Sequence, residues 1–201
     1  MSMTQLQIVN LALHHLGMNS ITSAQLTADA IPSAKEANVF WEPCRDEVLG
    51  EVPWSFNTAT LALSALNIDD LEWEYVYSYP TLSVGSVWAV YDESTATTKY
   101  DQNFEVKYTP SQSNKCIYTN LQYAYAEYSY KVTDPSIWSD KFNMAFSYRL
   151  AAEMAIPLIG DSNKSEQMLN IYGAIIGEAK RIGNSEKVEK PTQTSNYQNG
   201  R

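Results

Sequence analysis

Eleven of the fourteen tyrosines in this chain fall between positions 75 and 130, many at a spacing of two. A side chain that recurs every second residue lands on one face of a pleated strand, a setting that aromatic residues favour. The interval 71–132 therefore reads as strands. Trp73, Tyr75, Tyr77 and Tyr79 are expected on one face, opposite Glu72, Glu74 and Ser78. Phe104, Val106 and Tyr108 oppose Glu105 and Lys107, and Val87-Trp-Ala-Val-Tyr91 reads as buried on both sides. Tyr123 and Tyr125 differ in phase from Tyr128 and Tyr130, which predicts a bulge near Ala126 and Glu127. A turn is expected at 110–114 and a polar loop at 92–98.

Outside this interval the period changes to that of helices. Thr4-x-x-Gln7 reads as a capping box, and Leu6, Val9, Ala12, Leu13 and Leu16 then keep helical spacing until Gly17 supplies a stop. After a Ser/Thr/Asn-rich connection, Pro32 sits where a first helical residue is tolerated, and a second helix is expected to run to about Glu51. Phe40, Trp41, Cys44, Val48 and Leu49 give it an apolar stripe, and Pro43 should remove one backbone bond and bend it. Pro53 stops this helix and leaves Trp54 and Phe56 as large anchors beside its end. Asp134 as cap and Pro135 at the first position restart helix; Phe142, Ala145, Phe146, Leu150 and Ala152 form the apolar face of the third long helix, and Pro157 disturbs its end. A fourth helix begins near 161–163, carries Leu169, Tyr172, Ile175, Ile176, Ala179 and Ile182, and finishes with Lys180, Arg181 and Gly183.

Helical ends bracketing a strand-rich centre predict an α+β fold. The simplest arrangement is an antiparallel helical bundle built from 1–66 and 134–183, with a small Tyr-rich β domain inserted at 67–133. Residues 184–201 hold few apolar groups and read as an extended C-terminal arm. A chain of 201 residues is long enough to bury roughly 70% of its unfolded surface, so such a unit can stand alone.

No apolar run approaches the roughly 20 residues a membrane helix needs, and the opening Met1-Ser-Met-Thr-Gln5 lacks the basic region of a signal peptide. Synthesis and assembly in a cytoplasm are the expectation. A net charge of -9 argues against a surface that grips phosphates, although an acidic wall lets a duplex slide past without sticking. The same charge also serves solubility. Cys44 and Cys116 form neither a metal box nor a disulfide framework and read as small buried apolar residues.

Three segments carry a resemblance: Trp41-Glu-Pro-Cys-Arg45-Asp46-Glu-Val-Leu followed by Pro53-Trp54-Ser-Phe56; Tyr130-Lys-Val-Thr-Asp134-Pro135-Ser-Ile-Trp138; and Phe142-x-x-Ala145-x-x-x-Arg149-Leu-Ala-Ala152 with Ala155-Ile-Pro-Leu158. In content and order they resemble the head-to-tail adaptors of short-tailed bacteriophages, the tail tubular protein A type, with Trp41 in the first aromatic place. The resemblance spans most of 4–182, and no part of it is a chemical motif. It implies a virion tail protein without a cofactor or enzymatic role. Its copies would form a homo-oligomeric ring, a dodecamer in that family, between the portal protein and the tail nozzle protein, through which DNA passes. On this view Arg45, Asp46 and Arg149 are candidates for portal or subunit contacts, with intrachain pairing at a helix surface as the other reading. Tyr197 and Arg201 would belong to an arm that docks on a neighbour.

Searching the sequence for chemistry yields little. No G-x-G-x-x-G, Walker loop, G-x-S-x-G or H-E-x-x-H occurs, and His14 and His15 are adjacent, where they point apart on a helix. Gly160-Asp-Ser-Asn-Lys164-Ser165 lacks the glycine that a phosphate loop places before its lysine, and reads as a helix cap. Asp69, Asp70, Glu72 and Glu74 beside aromatic residues leave one alternative, a polysaccharide-degrading or glycan-binding tail component. Strand alternation, however, puts Glu72 and Glu74 on the solvent face, where a carboxyl lacks the raised pKa of an acid catalyst.

Overall fold

The computed structural model describes residues 3–92 and 103–186. Among these residues five α-helices and seven strands follow one another as α1 (Gln5–His15), α2 (Ser23–Thr27), α3 (Pro32–Glu51), β1 (Thr58–Ala62), β2 (Ala65–Leu66), β3 (Tyr75–Ser78), β4 (Ser83–Tyr91), β5 (Phe104–Thr109), β6 (Asn114–Thr119), β7 (Tyr125–Tyr130), α4 (Asp140–Ile159) and α5 (Ser162–Glu186). The protein is α+β, with its strands antiparallel and enclosed in sequence by helices.

Local chemistry accounts for most helix ends. Thr4 and Gln7 form the reciprocal capping box of α1, and Gly17, at φ +75°, lets the chain leave the helix. The connection after α1 holds a short helix that the sequence reading passed over, although Thr22 and Gln25 repeat the capping box there. α3 opens on Pro32 and runs through Pro43, whose missing N–H costs one ladder bond without ending the helix. α4 likewise continues past Pro157 to a left-handed Gly160. α5 extends to Glu186, beyond the stop expected at Gly183.

At Asp134 the expectation needs correcting. Asp134 does cap, accepting from the Ser136 N–H, and Pro135 does sit first, but the result is a single 3-10 turn over Pro135–Ile137. Trp138 returns to extended backbone, and Ser139 caps α4 afresh by accepting from the Phe142 N–H. Two proximal caps compete, and a Pro-initiated turn too short to propagate gives way.

The strands form a three-stranded sheet ordered β1-β7-β4 and a four-stranded sheet ordered β2-β3-β6-β5. They begin at Thr58, so the strand-rich part starts ahead of the 66/67 boundary read from the sequence. Tyr77 and Ile117 of one sheet share an apolar cluster with Val87, Val90, Ala126 and Tyr128 of the other. Trp73 is not on the Tyr75 and Tyr77 face as alternation suggested. It packs with Val76, Cys116 and Tyr118 on the opposite face, because Asp70 accepts from the Glu72 and Trp73 N–H groups and turns the chain before β3 begins. The expected bulge is also relocated: β7 pairs with β1 in unbroken register, and the irregularities lie across from it, in β4 between Ser83 and Val87 and between Val87 and Ala89. The loop expected at 92–98 lies almost wholly outside the described residues.

α1, α3 and α5 all pack on α4, and the short α2 packs on α3. The Ser165 hydroxyl donates to the Ala152 carbonyl near the α4–α5 turn, and Lys141 reaches Glu178 at the far end, so α5 runs back along α4. Its interior is assembled from both chain ends: Ile8 and Leu13, Ala37 and Val48, Phe142, Phe146, Leu150 and Met154, then Met168 and Ile176.

Candidate functional site

The three segments that carry the resemblance meet in space. Trp41 of α3 lies 6.0 Å from Trp138 and 4.7 Å from Phe146, while Trp138 meets Phe142 edge-on at 4.8 Å. Trp54 and Phe56 close on the same Phe142 at 5.3 and 5.2 Å, both edge-on. Edge contacts at such separations suit aromatic quadrupoles and add to the burial of large apolar area. Once Pro53 has turned the chain, the Trp54 Nε1–H donates to the Val48 carbonyl at 2.9 Å and the Asn57 amide to the Leu49 carbonyl at 3.0 Å. Two carbonyls left open at the end of α3 are thereby satisfied. These motif residues build and lock the helical core; they do not converge on a reaction centre.

A charged seam runs along α3 beside this core. Arg45 is only 3% exposed; its Nε–H donates to Asp46 Oδ1 at 2.8 Å. The other Asp46 oxygen takes Lys131 Nζ at 2.8 Å, which joins α3 to the segment leaving β7. Arg149 of α4 gives its Nε–H to Glu47 at 3.0 Å and its Nη1–H to Glu153, and Lys180 of α5 reaches Glu51 at 2.7 Å. Burial works against the Arg149 charge, but the hydrogen bonds to Glu47 and Glu153 outweigh it and raise its pKa above the ordinary value. Burial likewise pushes the neighbouring Cys44 thiol up to about 12, so this cysteine has none of the thiolate character a nucleophile needs.

Of the contact candidates among the described residues, Arg45 is therefore turned inward and bonded within its own chain, while Asp46 and Arg149 keep part of their surface open. Tyr197 and Arg201 lie outside the described residues. Asp134 and Pro135 stand with Trp41 at a cleft of about 260 Å³ whose other wall is Met3, Thr4 and Gln5. At the start of α1 beside it, the Gln7 N–H donates to the Thr4 hydroxyl. Glu47, Glu51, Lys131, Glu153 and Lys180 complete the seam and are not among the contact candidates read from the sequence; the i,i+4 spacing of Arg149 and Glu153 was the available signal.

The remaining surface offers little for chemistry. A shallow groove of about 580 Å³ follows one side of α5 from Asn163 to Glu178. Its carboxylates Glu166 and Glu178 are twelve positions apart, about 18 Å along a helix, too far to flank one glycosidic bond. Glu72 and Glu74 are exposed, and Glu72 lies 3.9 Å from Lys107. Among the described residues no group of His, Cys, Asp or Glu is placed to hold a metal ion, and no helix is long and apolar enough to cross a membrane. In comparison with known proteins, the chain matches no protein-family model and no curated sequence.

Proposed function

We propose that this protein is a structural component of a bacteriophage virion, a tail adaptor whose copies form a ring between the portal and the tail nozzle. The observation that carries this reading is the convergence of Trp41, Trp54, Phe56, Trp138, Phe142 and Phe146, drawn from three separated segments, into one aromatic core. Residues that resemble an adaptor signature do architectural work here, as a scaffold requires. The acidic net charge of -9 suits a channel through which DNA moves without sequence-specific binding. In a ring each heterologous contact repeats through a closing rotation, and the open sides of Asp46 and Arg149 are surfaces available for it.

The test is to mix the purified protein with portal rings and image the mixture by electron microscopy. A ring of added density under the portal is expected; portal rings that fail to recruit the protein at every salt concentration tried would sink the reading. The polysaccharide reading has weaker support, because its carboxylates are exposed and, among the described residues, no second carboxylate faces them across a cleft. Release of reducing sugar that disappears with Glu72→Gln or Glu74→Gln would revive it.

A further inference from the structure

We infer that β1 is a docking edge for a second copy of this chain, paired antiparallel with the β1 of that copy. Among the described residues β1 is outermost in its sheet. The Tyr130 N–H donates to the Asn57 carbonyl and the Leu63 N–H to the Ala124 carbonyl, so the odd-numbered residues of this stretch bond to β7. In an antiparallel ladder the alternate residues then turn their N–H and C=O groups the other way. Thr60 and Ala62 thus present unpaired backbone donors and acceptors outward, and both are exposed, as is Leu61 at 43%.

Such an edge is a template for another strand unless something blunts it. The other sheet edges among the described residues are blunted: β2 has two residues, β4 carries two register shifts, and β5 bears Glu105 and Lys107. Across positions 54–68, which contain β1, there is no charged residue, no proline and no glycine. Three edges thus carry a feature that opposes strand addition, and β1 carries none. The same contrast identifies the occupant, since the unblunted edge available to receive β1 is another β1. Charge agrees: chains carrying -9 each repel over most of their surface, and two neutral strands bring no like charges opposite one another. An antiparallel strand is self-complementary about a two-fold axis, so the contact closes at two copies. The pairing belongs to the free chain and does not rest on the ring reading.

Sedimentation of the full chain alone, over a concentration series and without portal, tests it. The mass is expected to rise with concentration from 22.6 kDa toward twice that value. Thr60→Pro should hold the chain at single mass, because the N–H it removes points away from β7 and the intrachain ladder survives. Ala62→Lys, which charges the edge without touching the backbone, should act alike. Amide hydrogen exchange supplies a measurement that needs no variant: protection at Thr60 and Ala62 should grow with concentration. A wild-type chain that stays at single mass throughout, species larger than two copies, or association unchanged by both substitutions would each overturn the inference.

Discussion

Gly50 and Gly85 meet backbone to backbone: a Cβ built on Gly50 would lie 2.8 Å from the Cα of Gly85, and one built on Gly85 would lie 2.6 Å from the Cα of Gly50. This is where the last turn of α3 crosses β4, and no side chain separates the helix from the sheet. Val84, next to the contact, belongs to the core of the helices.

Alanine at either position should therefore force the two elements apart. Overpacking of this kind costs roughly 1–3 kcal/mol, and Gly85→Ala should cost about 1 kcal/mol more, because φ +72° is left-handed. Gly17→Ala is the control, with φ +75° but open space around it, and should show the conformational cost alone. Urea unfolding of the three variants, ranked Gly85→Ala worst and Gly17→Ala mildest, checks the prediction.

Arg149→Met should destabilise, by roughly 1–2 kcal/mol for the two pairs together, since it leaves Glu47 and Glu153, 43% and 37% exposed, without their shared cation. Glu47→Gln should cost less, because Glu153 still holds Arg149 and the amide oxygen still accepts. Equal losses in thermal unfolding would show that the seam is not organised around Arg149.

Trp138 packs against Trp41, Phe142 and Phe146, while its buried Nε1–H has no hydrogen-bond partner. Trp138→Ala should cost about 3–5 kcal/mol. Trp138→Phe keeps an aromatic ring there and removes an unsatisfied donor, so its cost should fall well below that of the alanine variant. Denaturant midpoints for the pair decide the matter.

The His15 ring stacks on Tyr148 at 3.9 Å and hydrogen-bonds to Ser147 at 3.1 Å. Ser147 donates its proton to the Met144 carbonyl, so it accepts from the Nε2–H of a neutral His15. Burial first, then the nearby His14 and Lys164 charges, lower the His15 pKa from its ordinary 6.5. A lowered pKa means that the unfolded chain takes up the proton more readily. Stability is therefore fully present above pH 6.5 and declines as pH falls through that value toward the folded one. His15→Phe, which keeps the stack but cannot titrate, should flatten the stability profile between pH 7 and pH 5.

Both cysteines are buried, Cys44 at 2% and Cys116 at 1% exposure. Neither should react with a thiol reagent at neutral pH until the chain is unfolded, whereupon both should react together. Rapid labelling of Cys44 in the native protein would show that the α3 core opens readily, and of Cys116 that the sheet around β6 does.

Much of the secondary structure was legible in the sequence because its signals are local. The Thr4 and Gln7 box, Gly17 and Pro32 act within a few residues of where they sit, and the apolar stripe of α3 announces its buried face. The places that were misread are those where a partner decides. Trp73 follows Asp70 and the outer cluster instead of its tyrosine neighbours, and the phase change in β7 is absorbed by β4 across the ladder. Arg45 shows the limit for the candidate site. Its spacing marks a helix flank, but whether that flank meets solvent depends on the segment carrying Lys131, which packs beside it from across the strands.

From the sequence alone followed the α+β class, the helical ends, the Tyr-rich centre and the use of aromatic residues as anchors, since periodicity and capping act through the backbone within a turn or two. Tertiary structure alone decided that three distant motifs share one aromatic core, that Gly50 and Gly85 touch, and that β1 is left as an open edge. These are contacts between residues far apart in the chain, and their energies depend on distances that no local pattern encodes.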